Sequence, residues 1–139
     1  MIFLDSAAVV KLVRQEAHSA DLAAWIDQHK DEELVASALV EVEVPRALRR
    51  WAPQALVGVP AAVGRLFRLE IDEVVRATAA SYPEPTLRSV DAIHLATAQV
   101  VANESGGGLT AFVTYDQRLL SAAQAAGLPV ACPGFSPSP

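Results

Sequence analysis

Two observations predict an α/β fold built on a parallel sheet. Short apolar runs, Ile2–Leu4, Leu34–Ala36 and Phe112–Val113, punctuate the chain at wide intervals, and the stretches between them carry helical periodicity and capping residues. A β-α-α-β-α order of this kind implies parallel strands joined by helical crossovers. A third observation concerns chemistry. Asp5 follows the first apolar run and Asp116 follows Phe112-Val113-Thr114-Tyr115, so both stand at the carboxyl ends of strands. In an open α/β sheet that edge is where ligands bind, because the loops and helix starts gathered there leave a crevice.

Each element has a local reason. Ile2–Leu4 reads as a buried strand and Ser6 as the N-cap of a helix from Ala7 to Arg14, which puts Asp5 at a strand-to-helix junction. Ser19 caps a second helix from Ala20 to His29. Leu34–Ala36 is a second strand, and Ser37 caps a third helix that carries Glu43, with Arg46, Arg49 and Arg50 beyond it. Pro45 lies inside that helix. It removes a hydrogen bond and costs about 3 kcal/mol unless a kink absorbs it, so a bend or break is expected near Val42–Val44. The stretch from Trp51 to Leu66 reads as helix interrupted at Pro53, Gly58, Pro60 and Gly64. Phe67–Ile71 is strand-like, and Asp72 caps a helix reaching Ser81. After the Pro83-Glu84-Pro85 loop, Ser89 caps a helix to Asn103 with almost no polar face, the mark of a buried helix. Gly106-Gly107-Gly108 reads as a flexible surface connection. No lysine follows it, so it is not a phosphate cradle. Gln117–Ala126 is a helix stopped by Gly127, and Leu128–Ala131 a last edge strand. These elements make one domain over 1–132, with a frayed tail over 133–139.

Composition narrows the function classes. With 139 residues, 52% of them hydrophobic, the chain fits one core that buries about 68% of the surface of its unfolded form. The 19% charged content excludes an intrinsically disordered chain. A formal net charge of −5 argues against a surface devoted wholly to nucleic acid, yet leaves nucleic acid open as a substrate if the negative charge includes the site itself. The single cysteine, Cys132, rules out an internal disulfide and reads as a small apolar residue. With no basic leader and no apolar run near the roughly 18 residues that span a bilayer, a soluble cytoplasmic protein is expected.

Four acidic residues, Asp5, Glu43, Asp91 and Asp116, hold positions a metal site would use. Carboxylates gathered in one crevice repel one another unless a cation sits between them, and oxygen-only ligands suit Mg²⁺ or Mn²⁺. Taken singly, Asp5, Asp91 and Asp116 are ordinary helix-start residues and Glu43 a solvated helix residue. His94, three residues after Asp91, reads as a helix histidine hydrogen-bonded locally, since hard cations prefer oxygen. Lys11 with Arg14, and Arg46 with Arg49, lie one turn apart and suit either RNA phosphates or plain solvation.

Four segments in order, Ile2-Phe3-Leu4-Asp5-Ser6, Glu43-Val44-Pro45-Arg46-Ala47-Leu48, Asp91-Ala92-Ile93-His94-Leu95-Ala96-Thr97-Ala98 and Val113-Thr114-Tyr115-Asp116, resemble those of PIN-domain nucleases, most closely the VapC-type toxins of toxin-antitoxin pairs. The resemblance implies a three-layer α/β/α sandwich with a mostly parallel sheet and a Mg²⁺- or Mn²⁺-dependent ribonuclease site. It implies Asp5 and Asp91 as principal metal ligands, Asp116 as a further ligand or supporting carboxylate, and Glu43 as the acidic helix residue, with Glu41 as its rival. Ser6 and Thr114 match the small hydroxyl positions that support such a site. The implied partners are an RNA substrate, a cognate antitoxin and a second copy of the chain in a homodimer, with no membrane. The apolar faces around Leu22, Trp25 and Ile26, or from Trp51 to Phe67, are candidate interfaces. Two other functions compete: a PIN nuclease of RNA processing unconnected to toxicity, and a noncatalytic PIN-like module that binds a protein partner.

Overall fold

Side-chain alternation in three short strands decides the layers. In the computed structural model, which describes residues 1–106 and 108–136, β1 (Ile2–Leu4), β2 (Leu34–Ser37), β3 (Phe67–Leu69), β4 (Ala111–Val113) and β5 (Val130–Ala131) form one sheet in the order β3-β2-β1-β4-β5. Every neighbouring pair is parallel, with Phe3 opposite Val35 on one side and Phe112 on the other. Because successive side chains point to opposite faces, Ile2 and Leu4 enter one core and Phe3 the other.

The first core is closed by α1 (Ser6–Val13), α2 (Ser19–Gln28), α3 (Val40–Trp51) and α4 (Val59–Gly64), through Ala8, Val9, Leu22, Ile26, Val44, Leu48 and Val63. The second is closed by α6 (Ser89–Glu104) and α7 (Gln117–Ala125), through Leu95, Ala98, Leu119 and Ala123, with α5 (Glu73–Ala80) packed on α6. Phe3 and Phe112 stack with centroids 5.3 Å apart, both fully buried, and each stabilises the second core by about 3 kcal/mol. Helices on both faces of a parallel sheet give the expected α/β/α sandwich.

The chain leaves β1 toward β2 on one side and leaves β4 toward β5 on the other. The carboxyl ends of β1 and β4 therefore flank a topological switch point, the natural crevice of such a sheet.

Several boundaries differ from expectation for local reasons. Asp5, not Ser6, caps α1, accepting from the Ala8 N–H at 2.8 Å. Arg88 precedes α6 where Ser89 was expected to cap. Leu39 precedes α3, and Ser37, the last residue of β2, accepts from the Leu39 N–H at 3.2 Å instead of capping the helix. His18 precedes α2 with φ of 68°, while Ser19 accepts from the Glu16 N–H and donates to the Arg14 carbonyl. Asp72 caps α5 as expected, accepting from the Val75 N–H at 2.9 Å.

The break expected near Val42–Val44 is absent, and α3 runs unbroken through Pro45. The helix starts early, with Val42 and Glu43 N–H groups already bonded to the Leu39 carbonyl. Pro45 then denies an i+4 partner only to the Glu41 carbonyl, and Glu41 is exposed, so water can serve. The Trp51–Leu66 stretch resolves into the end of α3, a 3-10 turn over Pro53–Gly58, and α4.

Of the expected frayed tail, residues 133–136 are described and 137–139 lie outside the described residues, as does Gly107 of the glycine connection. The Pro133 carbonyl accepts from the Tyr115 hydroxyl at 2.8 Å, and the Phe135 ring meets His18 edge-on. Leu22 and Ile26 are spent in the first core, whereas Trp51, Val57 and Phe67 are exposed. Among the described residues no helix is long and apolar enough to cross a membrane.

Candidate active site

Asp5 is placed by two elements at once. It follows β1, its N–H reaches the Val113 carbonyl of β4 at 3.3 Å, and its side chain caps α1. The residue is only 4% exposed. Burial pushes its carboxyl above the ordinary value, and the charge of Asp91 pushes the same way. The Thr114 hydroxyl, the Ala8 N–H and His94 oppose the shift without cancelling it.

Beyond β4, Thr114 is fully buried and its hydroxyl accepts from the Asp116 N–H at 3.1 Å. Asp116 then caps α7, accepting from the Arg118 and Leu119 N–H groups at 2.9 and 3.2 Å. Asp91 lies in the first turn of α6 and accepts from Arg88 Nε at 2.9 Å. That hydrogen bond, with the charges of Asp91, Asp116 and Glu43, holds the Arg88 guanidinium firmly protonated. One exposed cation thus answers three of the carboxylates.

Glu43 enters from α3. Its Oε1 accepts from Ser6 Oγ at 2.8 Å and meets His94 Nε2 at 2.7 Å, while Ser6 Oγ and His94 Nε2 lie 3.2 Å apart. Burial would raise this carboxyl, but the His94 and Ser6 contacts outweigh it and hold the group below its ordinary value. Glu41 points elsewhere and accepts from Arg68 at 3.0 Å. Between the two rivals, Glu43 is the one bonded to Ser6 and His94.

His94 is the residue that sequence reasoning undervalued. Expected to bond within its own helix, it bonds to Ser6 and Glu43, which come from α1 and α3. A signal was present, since the three-residue spacing from Asp91 sets both side chains on one side of α6. All of the expected residues, Asp5, Ser6, Glu43, Asp91, Thr114 and Asp116, meet at the carboxyl edge of the sheet.

The donor set suits a hard divalent cation in type and charge. It is all oxygen, and Asp5 and Asp91 repel each other in a site where burial already disfavours one charge. Among the described residues, no three His, Cys, Asp or Glu side chains already enclose a position for a metal ion.

A parallel α/β/α sandwich with carboxylates from four separate elements at the carboxyl edge of its sheet has the architecture of a PIN domain. The PIN domain model matches residues 2–125. The chain is 52% identical over 134 residues to Ribonuclease VapC35 of Mycobacterium tuberculosis, covering 96% of this chain and 98% of that one. It is 36% identical over 137 residues to Ribonuclease VapC47 of the same organism, covering 96% and 98% of the two chains. Among solved structures, VapC20 of M. tuberculosis, a Sarcin-Ricin loop cleaving toxin, superposes with a TM-score of 0.68 at 19% identity, covering 92% of this chain and 96% of that one. FitAB bound to a DNA fragment gives 0.61 at 20% identity over 99% of each chain. This chain belongs to the PIN-domain family.

Proposed function

We propose that this chain is a metal-dependent endoribonuclease, the toxin of a toxin-antitoxin pair, which hydrolyses RNA phosphodiester bonds with water and forms no covalent enzyme intermediate. The observation that carries this reading is the meeting of Asp5, Glu43, Asp91 and Asp116 at one sheet edge in a PIN domain. The full-length likeness to Ribonuclease VapC35 supports it.

Asp5, Asp91 and Asp116 would hold Mg²⁺ or Mn²⁺. When bound, the ion neutralises nonbridging phosphate oxygens and lowers the pKa of a water. The protein's own groups do the rest. Glu43, kept ionised by His94 and Ser6, orients a water and takes up its proton. Thr114 holds the loop that carries Asp116 through the Asp116 N–H. Arg88, exposed at the mouth, sets a guanidinium where the anionic backbone arrives.

A cognate antitoxin holds the enzyme inactive, and a second copy of the chain completes a homodimer in the cytoplasm. The exposed side chains of Trp51, Val57 and Phe67 supply apolar surface for such contacts.

The test is cleavage of total cellular RNA by antitoxin-free protein with Mg²⁺ or Mn²⁺ against EDTA, alongside Asp5→Asn and Asp91→Asn. Metal-dependent cuts that vanish in both variants support the nuclease and its site. Equal cutting by all three proteins points to contamination. No cutting by folded, metal-loaded wild type across varied RNAs favours the noncatalytic binding module.

A further inference from the structure

The two carboxylate oxygens of Glu43 are not equivalent. Among the described residues, the hydrogen bonds made by this side chain all run to Oε1, from Ser6 at 2.8 Å and from His94 at 2.7 Å. Oε2 is left for whatever enters the crevice, and the Glu43 side chain is 30% exposed. His94 is the opposite kind of group. It is 2% exposed, lies edge-on to Phe3 with centroids 6.4 Å apart, and its Nδ1 is buried without a partner.

That orphaned nitrogen is informative. A buried polar atom without a partner costs free energy, and a leucine of similar bulk would pack against Phe3 without that cost. Packing therefore does not account for a histidine here. What a histidine adds is Nε2, which faces two oxygen acceptors, Glu43 Oε1 and Ser6 Oγ. The proton belongs on that nitrogen, and Nδ1 is left as a bare acceptor.

We propose that His94 is a positioning residue of the active site: with the Ser6 hydroxyl, its Nε2–H clamps Oε1 of Glu43 so that Oε2 is presented to the crevice in a fixed orientation. The clamp joins α1, α3 and α6, so it also fixes α3 relative to Asp5, the cap of α1, and Asp91 on α6. The proposal rests on the nuclease reading of the site and adds to it a residue that touches neither ion nor RNA.

The experiment compares wild type, His94→Leu, His94→Gln and Ser6→Ala for kcat and KM on a cleavable RNA with Mn²⁺, with thermal unfolding in EDTA as the control for folding. His94→Leu keeps the bulk and removes the donor. It is expected to unfold no more than a few degrees from wild type and to lose about 10- to 100-fold in kcat, the usual loss when a supporting partner goes, with KM little changed. His94→Gln restores an N–H and should recover part of that loss, an outcome a purely structural role would not give. Wild-type kcat in a folded His94→Leu overturns the clamp while leaving the nuclease reading intact. An inactive, folded, Mn²⁺-loaded wild type overturns both. If His94→Leu fails to fold, His94→Gln and Ser6→Ala decide: a kcat loss in Ser6→Ala with KM held supports the clamp, and full activity in both overturns it.

Discussion

Asp5 caps α1 with the same carboxylate that the proposed function assigns to the metal, and two substitutions separate the roles. As N-cap it satisfies the Ala8 N–H at 2.8 Å in a buried position. Asparagine caps as well as aspartate, whereas alanine forfeits about 1 kcal/mol, within a range of roughly 0.5–2. For a domain of this length 1 kcal/mol corresponds to about 3–4 °C in Tm. The charge works in the other direction. Burial and Asp91 hold the Asp5 pKa above its ordinary value, so the folded protein retains this proton to higher pH than the unfolded chain does. The resulting stability is present in acid and is lost as pH rises through the raised pKa, leaving ionised Asp5 unfavourable at neutral pH without metal. Asp5→Asn should therefore melt at or above wild type in EDTA at pH 7, and Asp5→Ala about 3–4 °C below Asp5→Asn. Both should fail to cut RNA with Mg²⁺. Scanning calorimetry paired with the RNA assay checks this. An Asp5→Asn protein that melts several degrees below wild type, or that cuts at the wild-type rate, would refute the reasoning.

Asp116 admits the same dissection at α7: Asp116→Ser retains a cap and Asp116→Ala loses about 1 kcal/mol by urea titration, while both lose cleavage. Glu43 has a lowered pKa, so its contribution is present above the ordinary carboxylate pKa of about 4 and fades as pH falls through the lower folded value. The stability gap between wild type and Glu43→Gln in EDTA should accordingly stay constant near neutrality and shrink in acid; a gap that widened below pH 4 would contradict that sign. Phe112→Ala removes the ring stacked on Phe3 and should cost about 3–5 kcal/mol in urea unfolding. Added Mn²⁺ should raise the Tm of wild type more than that of Asp91→Asn, because only a native-state site that binds the ion stabilises the fold.

Much of the fold was legible because it is written locally. Ile2–Leu4, Leu34–Ala36 and Phe112–Val113 are apolar without alternation because helices cover both faces of the sheet, and that pattern survives in the bare sequence. Asp72 could be read as a cap because capping depends on residues three apart. The same locality explains the near misses. Asp5 and Ser6 are adjacent and both are good caps, so only backbone geometry chooses between them. Pro45 looked disruptive, but the one i+4 bond it withholds falls at Glu41, an exposed residue where water can serve.

The sequence by itself determined the parallel α/β class, the placement of Asp5 and Asp116 at strand ends, and Glu43 on a helix, since each depends on a few neighbouring residues. Tertiary structure decided that Glu43 bonds to Ser6 and His94 while Glu41 bonds to Arg68, that Leu22 and Ile26 are core while Trp51 is surface, and that His94 is engaged with Glu43 across 51 residues of chain. Periodicity reports which face of its own helix a residue occupies. It carries no information about what another helix brings to that face.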